Sequence, residues 1–108
     1  MVKKKVLITG AMGRIGQALT EHLRGHFTLR LLVRRPFESE EEVVQGHLED
    51  FDAMVRACAG MEAVVHLAAH AGERDFPSEL LPVNILGTYH LFEAARQTGV
   101  KTLVYAST

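Results

Sequence analysis

Three apolar residues, Val6-Leu7-Ile8, run directly into Thr9-Gly10-Ala11-Met12-Gly13-Arg14-Ile15-Gly16. Three glycines at intervals of three, set between an apolar run and an amphipathic segment, constrain the fold more than any other stretch. The apolar run reads as a short buried strand. Residues 14–24 place Ile15, Ala18, Leu19, His22 and Leu23 at helical spacing, with Gly25 as a C-terminal stop. In such a strand-to-helix turn Gly10 permits the tight bend, Gly13 leaves the backbone open to a phosphate, and Gly16 lets the helix lie close to the sheet. The free amides at the helix start attract negative charge. The spacing alone is weak; its position after the first strand and at the opening of a helix gives it weight.

The alternation continues. Leu29, Leu31, Leu32 and Val33 predict a second strand, residues 35–42 a solvated acid-rich loop (Glu38, Glu40, Glu41, Glu42), and Val43-Val44-Gln45-Gly46 a third strand. Asp50 is placed to cap a helix that carries Phe51, Met54, Val55 and Cys58 on one face. Residues 62–68 predict a fourth strand and 70–78 a polar loop. A long helix then runs to about Gln97, with Ile85, Tyr89, Phe92 and Ala95 near one stripe, Pro82 in its first turns and Gly99 at its end. Residues 101–106 predict a fifth strand. The order implies an α/β fold, a Rossmann-like doubly wound parallel sheet in the order 3-2-1-4-5, truncated after strand 5. Residues 1–108 form one domain on this reading, an incomplete one.

Composition narrows the partners. Twelve Lys and Arg against thirteen Asp and Glu give a net charge of -1, but residues 1–35 hold eight basic residues and one acid. A nucleic-acid duplex is a poor partner for such a balance, whereas a local site for a small anion is compatible with it. The basic excess is expected around the glycine turn and Arg34-Arg35. One cysteine, Cys58, rules out an intrachain disulfide and reads as an inert core thiol. The basic start, Lys3-Lys4-Lys5, precedes an apolar run too short for an export signal, and no stretch has the length of a membrane span. A cytoplasmic protein without membrane contact is expected. Of the six histidines, His22 and His26 are four apart, as are His66 and His70. Neither pair is joined by further ligands, so no metal site is expected.

Taken together, the segments resemble the extended branch of the short-chain dehydrogenase/reductase superfamily, the NAD-dependent epimerase/dehydratase family. The glycines follow G-x-x-G-x-x-G. Gly46-His47-Leu48-Glu49-Asp50 is similar to the family's G-D-L-x-D, and His66-Leu67-Ala68-Ala69 to its H-x-A-A. Asn84-Ile85-Leu86-Gly87-Thr88 with Glu93-Ala94-Ala95 is similar to its N-x-x-G-T…E-A-A helix. Leu103-Val104-Tyr105-Ala106-Ser107-Thr108 resembles the strand that leads into the catalytic Ser/Thr.

The resemblance implies roles. Gly10, Gly13 and Gly16, with Arg14 and Ile15, would hold the dinucleotide pyrophosphate. The end of the second strand selects the cofactor, an acid favouring NAD and a base favouring NADP. Arg34 and Arg35 stand there, so NADP is favoured over NAD, with the acids at 40–42 a counterweight if their loop folds back. His47 stands where the family has aspartate, which removes that carboxylate from the adenine pocket; Leu48 still offers apolar wall. Leu67, Ala68 and Ala69 would line the ribose and nicotinamide path. Asn84 matches an asparagine of the proton relay, and Thr108, or Ser107 if the register slips by one, matches the catalytic hydroxyl. Neither Tyr89 nor Tyr105 is followed by a lysine four residues on, so the family's Tyr-x-x-x-Lys pair is absent. The chain then reads as the NAD(P)-binding portion of an epimerase, dehydratase or reductase acting by hydride transfer on a nucleotide sugar or related carbohydrate, inactive alone. A small-molecule substrate is expected if the chain continues. The alternatives are a non-catalytic NADP-binding or sensing module and a fragment without independent activity. An unpaired fifth strand, and a helix resembling the family's dimer helix, imply a homodimer or self-association.

Overall fold

The computed structural model describes residues 2–67 and 85–106. Along them run β1 (Lys5–Thr9), α1 (Arg14–Leu23), β2 (Thr28–Val33), β3 (Glu42–Gln45), α2 (Phe51–Cys58), β4 (Ala63–His66), α3 (Gly87–Thr98) and β5 (Thr102–Tyr105). The strands pair in parallel in the order β3-β2-β1-β4-β5, as the sequence predicts. Successive residues of a strand point to opposite faces, and both faces of this sheet are covered. Val6 and Ile8 join Leu29, Leu31 and Val33 under α1, whereas Leu7, Leu32 and Val64 join α2 and α3 on the other side.

Small residues set how closely the helices approach. Ala53 and Ala57 of α2 and Ala94 and Ala95 of α3 are all buried, together with Met54, Cys58 and Leu91. Burial pushes the Cys58 thiol up to about 11, which keeps it protonated and unreactive. Asp50 caps α2 as expected, accepting from the Ala53 amide at 3.2 Å. The other end of α2 is held from the sheet. Arg30 of β2 pairs with Glu42 through Nε and donates from Nη1 to the carbonyls of Ala57 and Ala59, each at 2.8 Å. A cation on the last carbonyls of a helix also complements its dipole.

Two helix faces differ from the sequence expectation. Ile15 is 72% exposed; the inward face of α1 is Gly16, Leu19, Thr20 and Leu23. Thr20 passes as apolar there because its hydroxyl donates back to the Gly16 carbonyl at 2.7 Å. In α3 the inward face is Gly87, Leu91, Ala94 and Ala95, so Ile85, Tyr89 and Phe92 point outward while Ala95 alone of the proposed stripe is buried. The loop after β2 is not simply solvated either. Phe37 packs on the α1-side core, and Glu41 pairs with Arg24 at 3.0 Å. Pro82 and the proposed loop at 70–78 lie outside the described residues.

A buried polar bridge crosses the C-terminal edge of the sheet. The register sets Thr9 of β1 beside His66 of β4, and His66 beside Tyr105 of β5. His66 is 1% exposed; Nδ1 lies 2.7 Å from Thr9 Oγ1 and Nε2 lies 3.2 Å from Thr88 Oγ1 on α3. Tyr105 stacks on the imidazole with centroids 5.4 Å apart. A neutral imidazole offers one donor and one acceptor, which two hydroxyls can match.

Burial moves the His66 pKa down to about 4. Between that value and the ordinary one near 6.5, the unfolded chain binds a proton that the folded chain does not. Stability therefore falls as pH drops through this window, by about 3 kcal/mol from this group alone. Denaturant melts of the wild type and His66→Phe between pH 7 and 4 should show a shallower pH slope in the variant. Equal slopes would remove His66 from the account.

Candidate functional site

In a parallel sheet all strands deliver their C-termini to one edge. Here that edge carries Thr9, Val33, Gln45, His66 and Tyr105. From β1 the chain proceeds outward through β2 to β3, then returns to lay β4 and β5 on the other side. The crevice above β1 and β4 is therefore the topological switch point, where open α/β sheets bind ligands. The glycine turn leads out of β1 at that point.

The turn is built by its glycines for different reasons. Gly10 has φ +73°, the left-handed region that side chains rarely adopt. At Gly16 a Cβ would lie 2.2 Å from the Gly10 carbonyl oxygen and 2.8 Å from Ala11 Cα, both backbone atoms that cannot move aside. At Gly13 a Cβ would meet only the Gly10 oxygen, at an ordinary 3.5 Å. The fold thus requires glycine at 16, and has room for alanine at 13. Gly13 is also the N-cap of α1. No side chain caps this helix and no acid stands in its first turn. The Gly13 amide donates to the Gly10 carbonyl at 3.1 Å, and the Gly13 carbonyl accepts from the Gln17 amide at 2.9 Å. Gln17 Nε2 steadies the bend from the side by donating to the Met12 carbonyl at 2.6 Å. An uncapped helix start with its positive dipole end and an exposed Arg14 suits an anionic group. The Gly13 opening leaves space for that group.

Charge at this edge is more local than the sequence implies. Lys3, Lys4 and Lys5 stand at the opposite, N-terminal end of β1. Arg24 is held by Glu21 and Glu41, and Arg30 by Glu42. Of the basic residues before position 36, Arg14, Arg34 and Arg35 face the ligand edge, and all three are exposed. The loop at 37–41 does fold back, but onto α1, where its Glu41 is engaged by Arg24, while Glu42 beyond it is engaged by Arg30 of β2. A cleft of about 280 Å³ opens between this loop and α1, lined by Ala11, Gln17, Arg24, Phe37 and the acids Glu21, Glu38 and Glu40. Its carboxylates make it a poor phosphate site, and it lies to the side of the turn.

The remaining sequence candidates separate. His47 is exposed, whereas Leu48 is 3% exposed and its carbonyl accepts from His90 Nδ1 of α3 at 3.2 Å. Leu67 is half-buried beside the turn, and its amide donates to Thr9 Oγ1 at 3.0 Å. Ala68, Ala69, Asn84, Ser107 and Thr108 lie outside the described residues. Sequence reasoning missed Thr9, Thr88 and His90, which tie the turn and the segment after β3 to α3. Thr9 and Thr88 lie within the quoted motifs, but nothing in their spacing signals a contact across the sheet. Among the described residues no group of three or more His, Cys, Asp or Glu is arranged to hold a metal ion. No described helix is long and apolar enough to cross a membrane.

Comparisons with known proteins agree with this geometry. Uronate dehydrogenase of Pseudomonas syringae pv. tomato is 39% identical over 108 residues, covering 95% of this chain and 39% of the relative. A crystal structure of a uronate dehydrogenase variant from Agrobacterium tumefaciens complexed with NAD superposes with a TM-score of 0.90 at 38% identity, covering 97% of this chain and 41% of that one. MoeE5 in complex with UDP-glucose and NAD gives 0.86 at 36% identity, covering 96% and 36%. The chain thus spans about two fifths of the length of the relatives it matches. The family model described as NAD dependent epimerase/dehydratase matches residues 6–108. With the glycine turn, the switch-point crevice and the strand order all in the arrangement that such proteins share, the chain belongs to the NAD-dependent epimerase/dehydratase family.

Proposed function

We propose that residues 1–108 are the dinucleotide-holding part of an oxidoreductase or epimerase that acts on a carbohydrate, a nucleotide sugar or a sugar acid. One observation carries this reading. The start of α1 is uncapped, free of acid, and opened by a glycine that the fold itself does not require. Gly10, Gly13, Gly16, Arg14 and Ile15 would hold the pyrophosphate, with Leu67, Ala68 and Ala69 along the ribose and nicotinamide path, and His47 and Leu48 by the adenine. The dinucleotide supplies hydride transfer when bound. Asn84 supports the proton relay and the hydroxyl of Thr108, or of Ser107, hydrogen-bonds the substrate oxygen. Within residues 1–108 dinucleotide binding is the activity proposed, since Tyr89 is followed four residues on by Glu93 and not by a lysine. The setting proposed is cytoplasmic.

NADP is the cofactor we favour over NAD. Arg34 and Arg35 follow β2 directly and are exposed, while Glu41 and Glu42, acids of the following segment, are turned to Arg24 and Arg30. Guanidinium groups match a 2′-phosphate in shape and charge. The same exposed arginines suit the second reading, a non-catalytic NADP-binding module, and a Tyr-x-x-x-Lys pair in the parent reading frame would decide for the enzyme.

The exposed faces bear on assembly. Tyr89 and Phe92 on α3 and Val104 and Tyr105 on β5 are all more than 40% exposed, and Phe92 meets Tyr105 edge-on at 5.9 Å. An apolar edge strand beside an apolar helix stripe favours self-association. Sedimentation of this chain should show concentration-dependent association that Phe92→Glu reduces; a monodisperse wild-type monomer at high concentration would rule it out.

Fluorescence titration with NADPH and NADH tests binding directly, and the chain has no tryptophan to interfere. NADPH should bind more tightly, and Arg34→Ala with Arg35→Ala should cost it about tenfold while leaving NADH nearly unchanged. Tighter binding of NADH by the wild type would overturn the arginine argument. The glycines should separate fold from ligand. Gly16→Ala should destabilise the chain by about 3 kcal/mol through backbone displacement. Gly13→Ala should keep the wild-type melting temperature yet bind dinucleotide far more weakly. Equal binding by Gly13→Ala would mean that the turn does not hold the phosphates.

A further inference from the structure

The His66 bridge joins parts of the molecule that the proposed function needs in fixed relation. Thr9, one of its ends, is the residue before Gly10, where the turn begins. Thr88, the other end, lies in the first turn of α3. Tyr105, stacked on the ring, is the last residue of β5, two positions before Ser107. The strands that carry these contacts are short, with four residues in each of β4 and β5. Few ladder hydrogen bonds therefore fix the ends of β1, β4 and β5 against one another. Where β1, β4 and β5 end, hydrogen bonds join Thr9, His66 and Thr88 and the Leu67 amide donates to Thr9 Oγ1, beside backbone bonds from the Leu67 amide to the Thr9 carbonyl at 3.3 Å and from the Ala106 amide to the His66 carbonyl at 3.2 Å.

We propose that His66 is a positioning residue that sets the glycine turn of β1 in register with α3 and with the end of β5, so that the dinucleotide crevice is formed before ligand arrives. The role rests on the proposed dinucleotide binding. His66 is buried beneath Tyr105 and acts on ligand through Thr9 and the turn. Its two hydrogen bonds are directional, and a hydrophobic residue of equal volume would fill the space without transmitting position. Preorganisation of this kind shows in affinity, because a turn that must be ordered on binding loses part of the interaction energy to that ordering.

Thr88→Val tests it at a half-buried position, removing a hydroxyl at nearly constant shape, and Thr88→Ser restores the hydroxyl. His66→Phe keeps a ring for Tyr105 to stack on but removes both hydrogen bonds. Fluorescence titration with NADPH, thermal melts and ¹H–¹⁵N spectra are recorded for all four proteins. Thr88→Val and His66→Phe should each weaken NADPH binding about fivefold or more, the scale of one hydrogen bond, with Thr88→Ser within about twofold of wild type. The Gly10 amide resonance should move in Thr88→Val and return in Thr88→Ser, although Thr88 belongs to another element. A lower melting temperature in Thr88→Val and His66→Phe with wild-type affinity and an unmoved Gly10 resonance would make the bridge purely structural and overturn the proposal. Failure of the wild type to bind either NADPH or NADH is a different result: it overturns the dinucleotide reading first, and the positioning role with it.

Discussion

How close α1 lies to the sheet governs both the packing of that helix and the character of the ligand edge. The helix axis is brought in until the backbone at Gly16 touches the backbone at Gly10 and Ala11, with no room for a single methyl group. That contact fixes the rotation of α1, because Gly16 must point inward. Leu19, Thr20 and Leu23 then join it at helical spacing, and Ile15 is turned out. It also fixes where the helix begins. The first-turn amides of α1 emerge at the C-terminal edge of β1, over the switch point, with no side chain to satisfy them. The exposed amide ends at this edge are thus a consequence of helix packing.

The strand order was legible because it depends on coarse signals. Short apolar runs, the Asp50 cap and the glycines after α1 and α3 mark elements whatever their exact rotation. Helix faces were less legible. Reading apolar residues alone assigns Ile15 to the core of α1, since glycine and a back-bonded threonine carry no hydrophobic signal. In α3 the same habit picks Tyr89 and Phe92, the largest apolar residues, where the close α2–α3 contact needs small ones. Ala53, Ala57, Ala94 and Ala95 fill a narrow gap and the bulky side chains are displaced to the outside. Gly10 and Gly16 were legible, because their roles are backbone roles. Thr9 and Thr88 were not, since their partner is a side chain distant in sequence.

The charges make a similar point about what a count conceals. An excess of basic residues in the first third of the chain suggests that they gather around the glycine turn and Arg34-Arg35. In three dimensions that excess divides by function. Arg24 fastens the 37–41 loop to α1, and Arg30 fastens α2 to β2 and β3. Lys3 to Lys5 lie at the far end of β1. The pairing of Arg24 and Arg30 with Glu41 and Glu42 matters to the site indirectly. It engages Glu41 and Glu42, while Glu38 and Glu40 line the cleft beside α1.

A buried histidine with two hydroxyl partners is not the most stable way to fill a gap at the end of a sheet. Removing an imidazole from water costs free energy that two neutral hydrogen bonds only about return, and an aromatic hydrocarbon would incur no such cost. What the polar bridge adds is definition. Packing alone tolerates small slides between neighbouring elements, whereas phosphate-binding amides work over hydrogen-bond distances of about 2.7 to 3.2 Å. Strands of four residues supply few ladder bonds, and a directional contact at the strand ends adds to them. The low pKa of His66 arises from the same burial, and it holds the bridge in its neutral, two-partner form down to about pH 4.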